Sequence, residues 1–190
     1  MYKQMLFVNA CVRKDSRTEK LARKLLSKLN KPFEEVYLNH ISFPAVDEEY
    51  LTKRDKFIAT GEFENGMFDL ARQFSNSETI VIAAPYWDLS FPAKLKQYLE
   101  QVSVVGITFK YSDRGEPIGL CKASKLYYIT TAGGNYVPDV FGFGYVSSIA
   151  RDLFGIPEVI QFKASGLDIY GADVDKILAD VEKDITETEI

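Results

Sequence analysis

Met5-Leu-Phe-Val-Asn-Ala-Cys-Val-Arg-Lys-Asp-Ser-Arg-Thr18 is the stretch on which the fold turns. Its first four residues form an apolar run of strand length. Thr18-Glu-Lys-Leu-Ala-Arg-Lys-Leu-Leu-Ser-Lys-Leu29 follows, with Leu21, Leu25 and Leu29, joined by Ala22 and Leu26, in an i, i+4 stripe. A buried strand therefore leads into an amphipathic helix. The loop between them contains no glycine, whereas a dinucleotide-binding unit wants G-x-G-x-x-G there for its tight turn and close pyrophosphate approach. Hydroxyl and basic side chains stand in that place instead. At the start of a helix, unpaired amides and the positive end of the helix dipole attract an anion.

Outward from this stretch the alternation continues. Pro32 ends the helix, and residues 33–38 alternate like a strand. Residues 42–60 have mixed polarity and weak periodicity, so they read as an irregular insertion with a helical turn at most. Residues 63–74 are helix-like. Thr79-Ile-Val-Ile-Ala-Ala84 is continuously apolar, as in a strand covered on both faces. Pro92 opens a helix over 93–102, with proline tolerated in the first turn. Residues 108–120, centred on Asp113-Arg-Gly115, form a hairpin excursion carrying Phe109 and Tyr111. Residues 125–130 are another buried strand, 141–154 mostly helix, 157–162 a last strand and 173–184 a closing helix.

Five strands alternating with helices imply a mostly parallel sheet covered on both faces. With the dinucleotide fingerprint missing, the pattern favours an α/β three-layer sandwich of flavodoxin-like order, 2-1-3-4-5. In that order a ligand sits beyond the strand carboxyl ends at the first/third switch point. Strands one, three and four are then neighbours, and each is followed by a motif.

The first motif, Cys11 to Thr18, offers Ser16, Arg17 and Thr18 to a phosphate, with Arg13 and Lys14 alongside; the plain alternative is a helix cap. The second, Pro85-Tyr-Trp-Asp-Leu-Ser-Phe-Pro92, holds the only tryptophan. Tyr86 and Trp87 suit a planar ring, and Asp88 its polar edge; alternatively, Trp87 anchors a core or a dimer interface. The third, Thr131-Ala-Gly-Gly-Asn-Tyr136, offers backbone amides unobstructed by a Cβ at Gly133 and Gly134, or else a tight turn. Convergence of the three describes a pocket for a planar, phosphorylated ring system such as a flavin mononucleotide.

Composition narrows the remainder. The chain has 190 residues, enough for one domain over 1–190 with a sizeable core. Net charge is −4, without a concentrated basic face for a nucleic acid or an anionic membrane. No apolar run approaches the length of a membrane span, and the first ten residues are too short in apolar content for a signal peptide. Cys11 and Cys121 form neither a metal-ligand spacing nor a disulfide framework, and the single histidine, His40, makes a His-based metal site improbable. The cytosol is the default compartment. His40 lies on the far side of the switch point and reads as structural. Ser90 lacks a nucleophile-elbow context. Cys11 adjoins the phosphate loop and reads chiefly as a packing residue.

The run Pro85-Tyr-Trp-Asp-Leu-Ser-Phe-Pro-Ala-Lys-Leu-Lys-Gln-Tyr-Leu99 is followed by Gly106-Ile-Thr-Phe-Lys-Tyr111, Gly119-Leu-Cys-Lys122 and Thr131-Ala-Gly-Gly134. In that order and spacing the chain resembles the FMN-dependent NADH:azoreductases and related NAD(P)H:quinone oxidoreductases of flavodoxin-like fold. The resemblance covers nearly the whole chain and is most specific over 85–134. It implies phosphate contacts at Ser16, Arg17 and Thr18, with Cys11 adjoining. It implies ring contacts at Pro85, Tyr86, Trp87, Asp88 and Leu89, and a third flavin segment at Thr131, Ala132, Gly133 and Gly134. Tyr111 matches an aromatic residue near the substrate pocket, which in such enzymes lies at a dimer interface. Tyr111 and Tyr136 are read as residues that close the pocket or relay a proton.

The chain departs from the family pattern in three places. Asp88 replaces a common asparagine, Thr131-Ala132 replaces Ser-Arg, and Ala10-Cys11 stand where a serine is frequent. The implied enzyme is a homodimer holding FMN non-covalently. NADH or NADPH passes a hydride to the flavin, and a quinone or azo compound then takes two electrons in its turn. A flavodoxin-like electron carrier and a flavin-free regulator are the alternatives.

Overall fold

The computed structural model describes residues 5–189. Part of the start read above for a signal peptide therefore lies outside the described residues. Along the chain, β1 (Met5–Asn9) leads to α1 (Arg17–Leu29), β2 (Phe33–Tyr37), α2 (Glu48–Thr60), α3 (Asp69–Asn76), β3 (Thr79–Ala83) and α4 (Ala93–Val102). A hairpin of β4 (Phe109–Tyr111) and β5 (Pro117–Gly119) intervenes before β6 (Lys125–Thr131), α5 (Phe143–Ser148), β7 (Glu158–Ala164) and α6 (Val174–Glu187). The main sheet is parallel in the order β2-β1-β3-β6-β7. With the hairpin strands set aside, this is the expected 2-1-3-4-5.

The central strands are apolar throughout because both of their faces are covered. Leu6 and Val8 of β1, with Ile80, Ile82 and Tyr128, pack under Leu95, Leu99 and Val146. Met5 and Phe7, with Val81, Ala83 and Ile129, meet Leu21 and Leu25 of α1 and Val181 and Ile185 of α6. Strand β2 lies at the edge, and its Glu35 takes Arg23 at 3.1 Å. Charge on an exposed edge blunts pairing with another chain.

Four boundaries differ from the sequence reading, each for a local reason. The region 42–60 contains α2, a full helix rather than an irregular insertion. It buries none of its residues; Asp47 caps its first turn by accepting from the Tyr50 amide, and Gly61 closes it at φ 71°. Caps close both of its ends, and only Phe57 and Ile58 pack, partly buried, against Phe68, Ala71 and Val104, so apolar periodicity is weak. In 63–74 the helix begins only at Asp69, because Asn65 caps a separate 3-10 turn over Gly66–Phe68. Helix α5 widens into a π-helical turn over Ile149–Leu153, closed by the Phe154 amide donating to Ile149 O. Finally, α1 stops at Asn30 in the left-handed region (φ 46°), two residues before Pro32.

Candidate functional site

The carboxyl ends of β1, β3 and β6 open into a cavity of about 560 Å³. Its size lies within the range of small-molecule sites, and it occupies the topological switch point. All three sequence motifs reach it.

The first loop leaves β1 through Asn9, whose buried side chain accepts from the Cys11 amide (3.0 Å) and donates to Glu35 (2.9 Å). Ser16 is the N-cap of α1: its hydroxyl accepts from the Glu19 amide at 3.3 Å, and the residue also lines the cavity. The amides of Arg17 and Thr18, one residue further into the helix, have no hydrogen-bond partner among the described residues. The side chains of Arg13, Lys14 and Arg17 gather at the same place. Unpaired amides, a helix N-terminus and three cations together make an anion seat. Thr18 itself is fully buried, and its hydroxyl is 2.7 Å from that of Thr131. This bond ties α1 to the end of β6.

The second loop contributes Pro85, Tyr86 and Trp87 to the lining. The Tyr86 amide donates to Thr131 O (2.9 Å), which holds this loop against the third. Trp87 and Ser90 exchange backbone hydrogen bonds of 3.0 and 2.8 Å around Asp88 (φ 50°) and Leu89 (φ 66°). Two central residues at positive φ define a type I′ turn, which usually takes asparagine and glycine. Leu89 is held there at a steric cost that the surrounding bonds override. Ser90 donates to Phe141 O at 2.6 Å, so its hydroxyl is structural. The Tyr86 hydroxyl is buried without a partner among the described residues. Burial pushes its pKa up, and Tyr136 and Asp139 nearby add to the shift.

Thr131, Ala132 and Gly133 line the cavity from the third side. The Ala132 amide is taken by Ala164 O (2.8 Å), whereas those of Gly133 and Gly134 have no partner among the described residues. A fourth segment, which sequence reasoning missed, completes the wall. Leu167 and Asp168, following β7, line the cavity and pair with the third loop through Leu167 N to Ala132 O (3.2 Å) and Asp168 N to Gly133 O (2.9 Å). Asp168 accepts from Arg17 at 2.9 Å. The available signal was Gly166-Leu-Asp168 directly after the last strand, beside the loop already singled out.

A family of flavodoxin-like fold matches residues 3–188. An "FMN-dependent NADH:quinone oxidoreductase 2" of Clostridium perfringens is 34% identical over 96% of each chain. The chain belongs to this flavodoxin-like family. A second FMN-dependent NADH:quinone oxidoreductase, from Coprothermobacter proteolyticus, is 31% identical over 90% of this chain and 89% of its own. Among solved structures, an FMN-dependent NADH-azoreductase of Bacillus anthracis in complex with FMN shares the fold with a TM-score of 0.81. It is 23% identical over 98% of this chain and 97% of its own.

Within this family member several sequence-predicted residues lie away from the cavity. Cys11 is wholly buried in the core, with its thiol 3.9 Å from Ala83 O. Burial pushes its pKa up to about 12 against the opposing pull of Ser16, so it stays a neutral packing group. Asp88, Leu89 and Gly134 do not line the cavity, being turned outward in their loops. Tyr111 packs edge-on against Phe109, and Tyr136 is 77% exposed; neither lines the cavity within one chain. His40 stacks edge-on against Tyr37, distant in role from the site. No helix among the described residues is long and apolar enough to cross a membrane.

Proposed function

We propose that this chain binds FMN in the switch-point cavity and reduces quinones or azo compounds with electrons from NADH or NADPH. The observation that carries the reading is the anion seat: two unpartnered helix-start amides, Ser16 and three cationic residues on the wall of a cavity that Trp87 also lines. That donor set fits a phosphate, and the aromatic end fits a planar ring.

In this reading Ser16 and Arg17 hold the phosphate while Trp87 and Tyr86 flank the ring. The Gly133 amide is left to serve its polar edge. When bound, FMN supplies the hydride chemistry, and the protein contributes binding, orientation and exclusion of water. Thr18 acts indirectly, through its hydroxyl bond to Thr131. The polypeptide forms one domain over 1–190 and works in the cytoplasm. It pairs as a homodimer through the rim where Trp87, Leu89, Tyr136 and Phe141 expose apolar surface, which brings Tyr111 and Tyr136 towards a shared substrate pocket.

Absorbance of the purified protein in the flavin bands, followed by NADH oxidation with and without a quinone, tests the proposal. The expected result is a yellow protein whose bleaching by NADH is reversed by the quinone. Bound FMN that NADH cannot reduce would identify an electron carrier. A colourless protein that does not take up FMN would identify a flavin-free regulator.

A further inference from the structure

One carboxylate sits where an anion site should exclude it. Asp168 lines the cavity and pairs with Arg17 at 2.9 Å, with side chains 70% and 41% exposed. Arg13, Lys14 and Arg17 line the same cavity, and so does a second carboxylate, Asp15, for which no ion pair is found among the described residues. Glycine at 133 makes room for this arrangement: a Cβ there would run into the Asp168 carboxylate. The backbone holds the same register through the Asp168 amide and Gly133 O. The space a side chain at 133 would take is occupied by Asp168.

We propose that Asp168 is an internal stand-in for the ligand phosphate, a displaceable clasp that holds Arg17 across the anion seat and releases it when a phosphate enters. The inference rests on the FMN reading above. A solvent-exposed ion pair is weak, so exchanging the carboxylate for a dianion at a helix N-terminus favours the phosphate. A flavin without phosphate brings nothing to replace the carboxylate and leaves the clasp shut. Asp168 is therefore a positioning residue, and its charge lowers phosphate affinity in return for keeping Arg17 in place.

The test is a fluorescence titration of the full chain, freed of flavin, with FMN and with riboflavin. Wild type is expected to prefer FMN. Asp168→Asn removes a like charge from the phosphate and frees Arg17, so FMN is expected to bind about 3- to 10-fold tighter, with riboflavin changed less than about 2-fold. In an Arg17→Ala background the same substitution is expected to yield distinctly less, because only the direct repulsion remains to be relieved. Gly133→Ala supplies an independent way to open the clasp by displacing the carboxylate. Once Gly133→Ala is present, Asp168→Asn should add little further FMN affinity.

Weaker FMN binding in Asp168→Asn would overturn the proposal, since Asp168 would then only brace Arg17 for the ligand. Equal gains with and without Arg17 would overturn it as well, leaving simple charge repulsion. If Asp168→Asn fails to fold, the Gly133→Ala titration decides: unchanged or weaker FMN binding with unchanged riboflavin binding rejects the clasp. Failure of wild type to bind either flavin would reject the FMN reading itself, a separate outcome.

Discussion

The two ends of the cavity are built on opposite principles. The helix-start end is braced by the chain's own polar groups: Ser16 caps its helix, Thr18 is tied to Thr131, and Arg17 is tied to Asp168. Elsewhere on the rim, Trp87 precedes a turn whose central residues, Asp88 and Leu89, both have positive φ, and Trp87 and Leu89 are 38% and 46% exposed. Nearby, Phe141 is 58% exposed, and the bond from Ser90 joins its loop to the turn. One end is complete within a single chain. The other leaves aromatic surface that a second body, whether ring or partner subunit, can cover. Charge is satisfied locally by short-range bonds, whereas apolar area is satisfied only by whatever is placed against it.

The sharpest way to break this contrast is Arg17→Ala. A charge-assisted phosphate contact is lost, so FMN affinity should fall roughly 10- to 100-fold while riboflavin affinity changes little. Equal losses for the two flavins, read by fluorescence titration, would mean that the basic end does not meet the phosphate. Trp87→Ala should act the opposite way, weakening FMN and riboflavin alike by roughly 10-fold, because stacking on a ring is indifferent to phosphate. A loss confined to FMN would place Trp87 at the wrong end.

Smaller effects concern stability. Thr18→Val keeps the shape of the side chain and removes its bond to Thr131, leaving a buried hydroxyl alone. Chemical denaturation should show a loss of about 1 to 2 kcal/mol, with no preference between FMN and riboflavin in the remaining binding. A phosphate-selective defect would return Thr18 to direct contact. Leu89→Gly relieves the left-handed strain at the open end, worth about 1 kcal/mol, partly offset by the greater entropy of unfolded glycine. A net gain of a few tenths of a kcal/mol is expected, with FMN binding intact. A loss instead would show that the exposed Leu89 side chain packs better than its surroundings suggest.

A last effect, confined to alkaline pH, tests the core behind both ends. Burial pushes Cys11 and Cys121 from 9.0 up to about 12, and raises Tyr98 and Tyr128 as well. A folded pKa above the unfolded value gives stability that is full below pH 9 and is lost as the pH climbs towards 12. In that window the unfolded chain releases protons that the folded chain retains. The melting temperature should therefore decline over this alkaline range, and Cys11→Ala should flatten part of the decline. An unchanged slope would mean that Cys11 is not sealed in the folded state.

Much of this architecture was legible in the sequence. The runs at 5–8 and 79–84 are apolar on both faces, and the i, i+4 stripe of 18–29 marks the helix between them. The glycine-free first loop excluded the dinucleotide fingerprint. Those signals are local periodicities, so they survive without knowledge of neighbours. Helix α2 was not legible, because none of its residues is fully buried and only Phe57 and Ile58 near its end pack against a small cluster, too little for a periodic stripe. Of the site residues, Ser16, Arg17, Pro85, Tyr86, Trp87, Thr131, Ala132 and Gly133 line the cavity as the motifs suggested. Thr18 lines it too, but its side chain is spent on Thr131. Cys11 looked adjacent in sequence, yet the strand geometry turns it into the core.

By itself the sequence determined the succession of strands and helices, and with it the edge at which three loops must meet. Side-chain alternation and chain connectivity are enough for that. Only the tertiary structure decided which groups within those loops answer one another. Asp168 lies 151 residues from Arg17 and Thr131 lies 113 from Thr18. An ion pair or hydroxyl bond over such a separation leaves no periodic trace along the chain. It depends on where folding brings each side chain.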